Sequence, residues 1–156
     1  MFDKFMIGLP HAKEDWPTAI AMEAALGVKK TWPALEGFVV DKIGYYVTVT
    51  FAYDTQTVEG VLSFFKRVTP GSDTNRVALG TMKLVDARAA GKFYFRKVDN
   101  ELNAAKVERG QEVIAEITTA GTGGGGIAGD FQPFFTGHPA DESYENLNAY
   151  AVMVTS

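Results

Sequence analysis

The chain has no cysteine and only two histidines among its 156 residues. Without cysteine it has no disulfides, no thiolate nucleophile and no zinc site built on sulfur. A cupin-type metal barrel needs several histidine ligands within its strands. His11 and His138 instead lie beside prolines, near opposite ends of the chain. We therefore expect two loop histidines, and neither a metal nor another cofactor.

Concentrated positive charge is also missing. The formal net charge is -4, and lysine and arginine occur singly or in pairs such as Lys29-Lys30. This distribution lacks the basic patch with which proteins bind nucleic acid. No segment approaches the ~20 apolar residues that span a bilayer, and the charged N-terminus MFDKFMIGLPHAKEDW is unlike a secretory signal. These absences predict a protein that is made in a cytosol and binds neither nucleic acid nor membrane.

Helical patterns are scarce, and only one is convincing. Asp15 has the residue type of an N-cap, residues 18–26 are rich in alanine, and Gly27 supplies a stop. This pattern predicts one short helix, carried by an N-terminal arm of residues 1–35. No Pro/Ser-rich linker or repeat divides the remainder, so residues 36–156 are predicted to form one domain.

Beyond residue 35 the hydrophobic pattern has a period of two. The clearest strand is residues 45–53, where Val47, Val49, Phe51 and Tyr53 share a face. Further strands are predicted at residues 37–41, 62–68, 76–85, 92–98, 104–108, 112–119 and 148–155. Residues 58–65 also fit a helical stripe, but Gly60 weakens a helix there. Turn residues, as at 41–44, separate these strands and predict an all-β fold, a jelly-roll-like or immunoglobulin-like β-sandwich.

The stretch TTAGTGGGGIAGDFQPFF has glycines at the spacing of a dinucleotide-binding fingerprint. That fingerprint requires a helix after the glycines, whose N-terminus holds the pyrophosphate. Gly129 and Pro133 interrupt the following residues, which show no apolar helical face. We therefore interpret the glycine run as a flexible surface loop and not as a nucleotide site.

No set of residues predicts catalysis. The four serines, at positions 63, 72, 143 and 156, lie outside any Gly-x-Ser-x-Gly elbow. A pair of carboxylates could flank a glycosidic bond, and the candidates are Asp130, Asp141, Glu142 and Glu145. The last three lie in a polar connector and are interpreted as a solvated turn. The sequence therefore predicts a protein that is not an enzyme.

Aromatic residues make up 12% of the chain and are the best candidates for an interface. Exposed aromatic side chains bind partner proteins or stack on sugars. Those in predicted arm or loop segments are Trp16, Trp32, Phe131, Phe134, Phe135 and Tyr144. The first five are the predicted partner interface. The alternative is that these rings close the ends of the sandwich.

The segment from about Phe38 to Ser156 resembles small virion proteins of tailed bacteriophages that decorate, or cement, the capsid. The turn and strand VERGQEVIAEI at residues 107–117 and the Ala-Gly loop with its aromatic exit carry this resemblance. It implies a jelly-roll or immunoglobulin-like sandwich that binds across capsomer joints without catalysis. The N-terminal 35 residues lie outside it.

The resemblance implies a location on the capsid surface of a virion, after synthesis in the cytoplasm of the bacterial host. It implies the major capsid protein as partner, and a homo-oligomer, either a trimer or a dimer. Two other functions stay open on the residues alone. One is a carbohydrate- or receptor-binding β-sandwich module, and the other is an enzyme of a type that the sequence does not identify.

Overall fold

A computed structural model describes residues 5–7, 19–22, 26–98 and 105–139. These residues form ten β-strands and no helix. The strands are β1 Phe5–Ile7, β2 Ile20–Ala21, β3 Lys29–Pro33, β4 Phe38–Val58, β5 Gly60–Arg67, β6 Val77–Leu84, β7 Phe93–Lys97, β8 Lys106–Val107, β9 Glu112–Thr119 and β10 Thr122–Pro139.

The strands form two antiparallel sheets, an arrangement consistent with a β-sandwich. Sheet A has the order β1-β10-β4-β7, with β2 added beside β10 and β8 beside β4. Sheet B has the order β3-β9-β5-β6. The prediction of an all-β fold is therefore confirmed.

One antiparallel ribbon runs through both sheets. On one side of the ribbon, β4 continues into β5 through Glu59 alone. On the other side, β9 continues into β10 through Ala120-Gly121. β4 pairs with β10 in sheet A, and β5 pairs with β9 in sheet B. The ribbon therefore folds sharply at one corner, and this fold places the two sheets on either side of a common core.

The hydroxyl of Tyr53 holds this corner. It donates a hydrogen bond to the Leu84 carbonyl oxygen at 2.7 Å and accepts one from the Gly60 N–H at 3.0 Å. A Cβ atom on Gly121 would lie only 3.0 Å from the same hydroxyl oxygen. Burial raises the pKa of Tyr53, so the phenol remains a neutral donor.

Aromatic rings from sheet A fill much of the core. The Tyr45 ring lies 5.5 Å from Phe51 and 5.6 Å from Phe131, measured between ring centroids, and all three are buried. Leu62 and Phe64 of sheet B, both fully buried, belong to the same cluster. The Tyr45 hydroxyl crosses between the sheets and donates to the Lys83 carbonyl oxygen at 2.8 Å.

Several predicted strands agree with the structure. The strand predicted at residues 112–119 matches β9 at both ends. The strand predicted at residues 92–98 is one residue longer than β7 at each end, and the strand predicted at residues 76–85 is one residue longer than β6 at each end. The strand predicted at residues 62–68 corresponds to β5, which begins two residues earlier. The strand at residues 148–155 lies outside the described residues.

Three local predictions are wrong. The turn at residues 41–44 lies inside β4, and the glycine run forms the first half of β10, where Thr122 pairs with Val58 and Gly126 with Asp54. Val49 is 47% exposed instead of sharing the buried face of Phe51. Register shifts in β10 around Asp130, the residue that pairs with Val49, account for this change because they interrupt the alternation.

The described part of the predicted helix is not helical. Ile20–Ala21 form β2, and residues 26 and 27 form a turn. Ile20 and Met22 are buried, and Met22 N–H bonds to the Gly129 carbonyl oxygen at 2.8 Å. Even the high helix propensity of alanine is a small contribution to the free energy, so pairing with β10 overrides it. Residues 15–18 and 23–25 lie outside the described residues.

Candidate interaction site

A glycine in the middle of sheet A creates a hollow on its outer face. Gly44 of β4 lies between Phe134 of β10 and Phe95 of β7 in the sheet register. A Cβ atom on Gly44 would overlap the Tyr94 carbonyl oxygen and lie 2.8 Å from the Phe95 Cβ. No larger residue fits there without displacing β7.

The side chains around this glycine form a small apolar cavity, which we call the Gly44 hollow. Its volume is ≈ 250 Å³, and it is lined by Lys42, Phe93, Phe95, Phe134 and Thr136. The Phe93 and Phe134 rings meet edge to face at 5.5 Å. The lining is mainly aromatic, with one cation and one hydroxyl.

Two walls of the Gly44 hollow are exposed phenylalanines. Phe93 is 45% exposed and Phe95 is 54% exposed, whereas Phe134 is 2% exposed. The other face of β7 turns inward, where the Tyr94 ring lies 5.8 Å from Tyr45. Exposed aromatic side chains beside an apolar cavity are typical of the anchoring positions in protein interfaces. Here they mark the candidate site.

Two lysines adjoin the hollow on the same face. Lys42 and Lys97 are directly opposite each other in the β4–β7 register. Lys42 Nζ lies 4.9 Å from the centroid of the Phe95 ring. Among the described residues, neither lysine forms an ion pair with a carboxylate. Like charges in directly opposed positions destabilise a strand pair, so this part of the surface favours an additional aromatic or anionic contact.

The aromatic residues predicted as the interface occupy different positions. Phe131, Phe134 and Phe135 lie in β10 and are at most 2% exposed, so their assignment to a loop is wrong. Trp32 lies in β3, partly buried, with its ring 5.4 Å from Phe135. Trp16 lies outside the described residues. Of the four that the structure describes, Phe134 alone lines the hollow, and the interface role of all five stays a prediction.

Sheet B carries a group of charged side chains around Arg67 of β5 and Glu112 of β9, which we call the Arg67 cluster. Its members are Lys29, Arg67, Asp73, Arg76, Glu112 and Glu116. Arg67 Nε bonds to Asp73 Oδ1 at 2.8 Å, and Arg67 Nη1 bonds to Glu112 Oε1 at 3.0 Å. The bond from Arg67 holds the pKa of Asp73 below its usual value. Three cationic side chains thus pair with three anionic side chains, so the cluster has no net formal charge.

Another polar pair in the described part of the chain joins His138 to Asp41. His138 Nδ1 lies 2.9 Å and 3.0 Å from the two carboxylate oxygens of Asp41. His138 lies in β10, so its assignment to a loop is wrong. The described part of the chain holds no group of three or more His, Cys, Asp or Glu side chains that could ligate a metal. The Asp41–His138 pair is best explained as a link between β4 and β10.

The glycine run borders a second depression of ≈ 430 Å³, between β4 and the first half of β10. Its lining consists of residues 52–54 and 125–128. It has no aromatic wall apart from Tyr53, which is 9% exposed. The exposed aromatic side chains therefore lie at the Gly44 hollow and not at this depression.

Sequence reasoning missed Phe93 and Phe95. The alternation in FYFRK indicates that Phe93, Phe95 and Lys97 share one face and Tyr94 and Arg96 the other. That signal was present, but it does not tell which face is exposed.

No helix in the described residues is long and apolar enough to span a membrane. No protein-family model, curated protein or solved structure matches this chain.

Proposed function

We propose that this chain is a non-enzymatic structural protein of a bacteriophage virion. It decorates the capsid and stabilises the shell by binding across capsomer joints. Its fold is a jelly-roll-like or immunoglobulin-like sandwich, its partner is the major capsid protein, and it acts as a homo-oligomer. It is made in the host cytoplasm and located on the capsid surface.

The observation that carries this proposal is the pair of exposed phenylalanines at the Gly44 hollow. A hollow of ≈ 250 Å³ with apolar walls has room for a side chain of a partner protein. Phe93 and Phe95 bury further apolar surface when a partner covers them. A decoration protein is present in many copies, so a modest contact at each one adds up through avidity.

The first experiment measures the number of copies in purified virions by quantitative mass spectrometry. We expect hundreds of copies, in a simple ratio to the major capsid protein. Absence from virions, or a handful of copies, would contradict the decoration role and favour a tail or non-virion role.

A binding experiment tests the surface itself. Shells without the protein are mixed with the purified chain, and the bound fraction is measured by sedimentation. We expect Phe93→Ser to reduce binding at least tenfold. Leu35→Ser is the matched control, because Leu35 is 78% exposed and lies outside the hollow. Equal losses in both variants would show that the hollow is not the contact surface.

A carbohydrate- or receptor-binding module is the second candidate, since aromatic walls with nearby polar groups also bind sugars. Lys42 and Thr136 are the polar groups at the hollow. This candidate predicts affinity for members of a glycan panel and loss of that affinity in Phe95→Ser. The decoration role predicts shell binding that free sugars do not inhibit.

A further inference from the structure

Strand β7 ends sheet A, and one side of its backbone faces away from β4. Val98 N–H bonds to the Asp41 carbonyl oxygen at 3.0 Å, and Val47 N–H bonds to the Lys92 carbonyl oxygen at 3.0 Å. In an antiparallel pair these bonds recur at every second residue. The register therefore directs the backbone groups of Tyr94 and Arg96 toward β4. Those of Phe93, Phe95 and Lys97 point outward, and β4 is the sole partner of β7 in the described residues.

The sequence of β7 is self-complementary in one antiparallel register. With Phe95 opposite Phe95 of a second copy, Phe93 of each copy stands opposite Lys97 of the other. No cation then faces a cation across the new pair. A cation–π contact between lysine and phenylalanine already occurs within this chain, where Lys42 lies over the Phe95 ring. The outward backbone groups of Phe93, Phe95 and Lys97 are the ones this register would pair.

We propose that β7 pairs with β7 of a second copy of this chain, with a two-fold axis at Phe95. Sheet A then continues from one copy into the other, and the exposed edge of β7 is removed. Lys97, which faces Lys42 within its own chain, gains the Phe93 ring of the second copy. An unpaired edge strand with exposed phenylalanines is an aggregation hazard, and closed pairing of this kind removes it.

The pairing also sets the number of binding surfaces. Both Gly44 hollows lie on the outer face of the combined sheet, on either side of the axis, because Phe93, Phe95 and Lys97 share that face. Two hollows held together would bind two equivalent sites of a symmetric partner. The pairing goes beyond the proposed function and does not depend on it, because it is measured on the purified chain alone.

A cysteine placed on the axis tests the register. The chain has no cysteine of its own. Opposed residues of a hydrogen-bonded antiparallel pair have Cα atoms about 5.5 Å apart, a separation that a disulfide spans. We expect Phe95→Cys to form a covalent dimer under mild oxidation.

Two matched variants control this test. Phe93→Cys lies on the same strand and face but two residues off the axis, and Leu35→Cys is exposed and lies outside β7. We expect both to form disulfides at least tenfold more slowly than Phe95→Cys. Equal rates in all three would overturn the proposal, and faster cross-linking of Phe93→Cys would overturn the register.

Light scattering at increasing concentration tests the pairing without cysteine. We expect the parent chain to form dimers, Lys97→Glu to weaken them about tenfold through two lost lysine–ring contacts, and Lys83→Glu on sheet B to change nothing. A parent chain that stays monomeric at high concentration would overturn the proposal. Dimerisation without shell binding would refute the decoration role and leave the pairing intact. Shell binding by a monomer would refute the pairing and the homo-oligomeric state, and leave the decoration role intact.

Discussion

The Arg67 cluster on sheet B and the Gly44 hollow on sheet A differ in how their charged groups are compensated. In the cluster, buried Arg67 and buried Glu112 bond to each other, and the Gly71 N–H also donates to Glu112 at 2.8 Å. At the hollow, Lys42 and Lys97 face each other beside exposed rings. The cluster satisfies its own groups within the chain, whereas the hollow leaves apolar area and positive charge available. The difference separates a region that stabilises the fold from one suited to binding.

The largest expected effect comes from breaking the Arg67 cluster. Arg67→Leu leaves Glu112 buried without its cationic partner, which we expect to lower the free energy of unfolding by roughly 3 kcal/mol. Urea denaturation measures this loss. Arg76→Leu is the control, because its guanidinium bonds to Glu116 at a more exposed position and its loss should cost less. Equal effects of the two substitutions would show that burial of the Arg67–Glu112 pair does not determine its contribution to the free energy of unfolding.

A smaller effect is expected from the buried phenol between the sheets. Burial raises the pKa of Tyr45 to about 12, against the opposing effect of Arg88. A raised pKa means that the neutral phenol stabilises the fold fully below pH 10, and that this stability is lost as the pH rises from 10 to 12.

The variant Tyr45→Phe tests this. At pH 7 it loses the hydrogen bond to Lys83, which costs about 1 kcal/mol, and its stability should fall less steeply between pH 10 and 12 than that of the parent. Thermal unfolding measured from pH 7 to pH 12 gives both the loss and the slope. Parallel curves for the two proteins would contradict the assignment of the alkaline loss to Tyr45, and Tyr53, with its pKa also raised, would be examined next.

At the hollow we expect a small effect on stability. Phe95 is 54% exposed, so Phe95→Ser should change the free energy of unfolding by less than about 1 kcal/mol. Urea denaturation of this variant, beside Arg67→Leu, compares the two regions directly. A loss as large as that of Arg67→Leu would mean that the hollow stabilises the fold and that the contrast between the regions is wrong.

The smallest effect has the opposite sign. Lys97→Gln removes one of two opposed positive charges, and we expect a gain of about 0.2–0.5 kcal/mol in the isolated chain. The gain should decrease in high salt, which screens the repulsion. Lys83→Gln on sheet B should show neither the gain nor its salt dependence. At a concentration where the chain is monomeric, a destabilised Lys97→Gln variant would indicate that Lys97 has a favourable contact within the chain.

Much of the sheet structure was predictable, because its side chains alternate. Residues 112–119 are rich in β-branched residues and match β9. The glycine run was not predictable in the same way. Glycine has no side chain to show a period of two, and the register of residues 123–126 is set by backbone pairing with residues 54–56. Gly44 likewise resembles a turn residue, although the Tyr94 carbonyl oxygen and Phe95 leave no room for a Cβ atom there.

The sequence predicted an aromatic interface, and that role stays a prediction, but the exposed aromatic rings are not the ones it selected. Aromatic anchors were expected, and Phe134 does line the hollow. The exposed rings are Phe93 and Phe95, because burial depends on which sheet face the rest of the chain covers. The sequence of one strand does not contain that information. Phe131 and Phe135 show the converse. Their rings were expected at a surface, but they belong to the hydrophobic core.

The corner held by Tyr53 has a consequence for how this chain folds. Because β4–β5 and β9–β10 form one continuous ribbon, a slip of one residue in either sheet cannot remain local. It would pass through Glu59 and Ala120-Gly121 and turn buried side chains outward in the other sheet. Residues at least 45 positions apart in sequence, as Arg67 and Glu112 are, must therefore meet in the correct register before either half is stable. Such long-range pairing predicts slow, strongly cooperative folding, in which the two sheets form together or not at all.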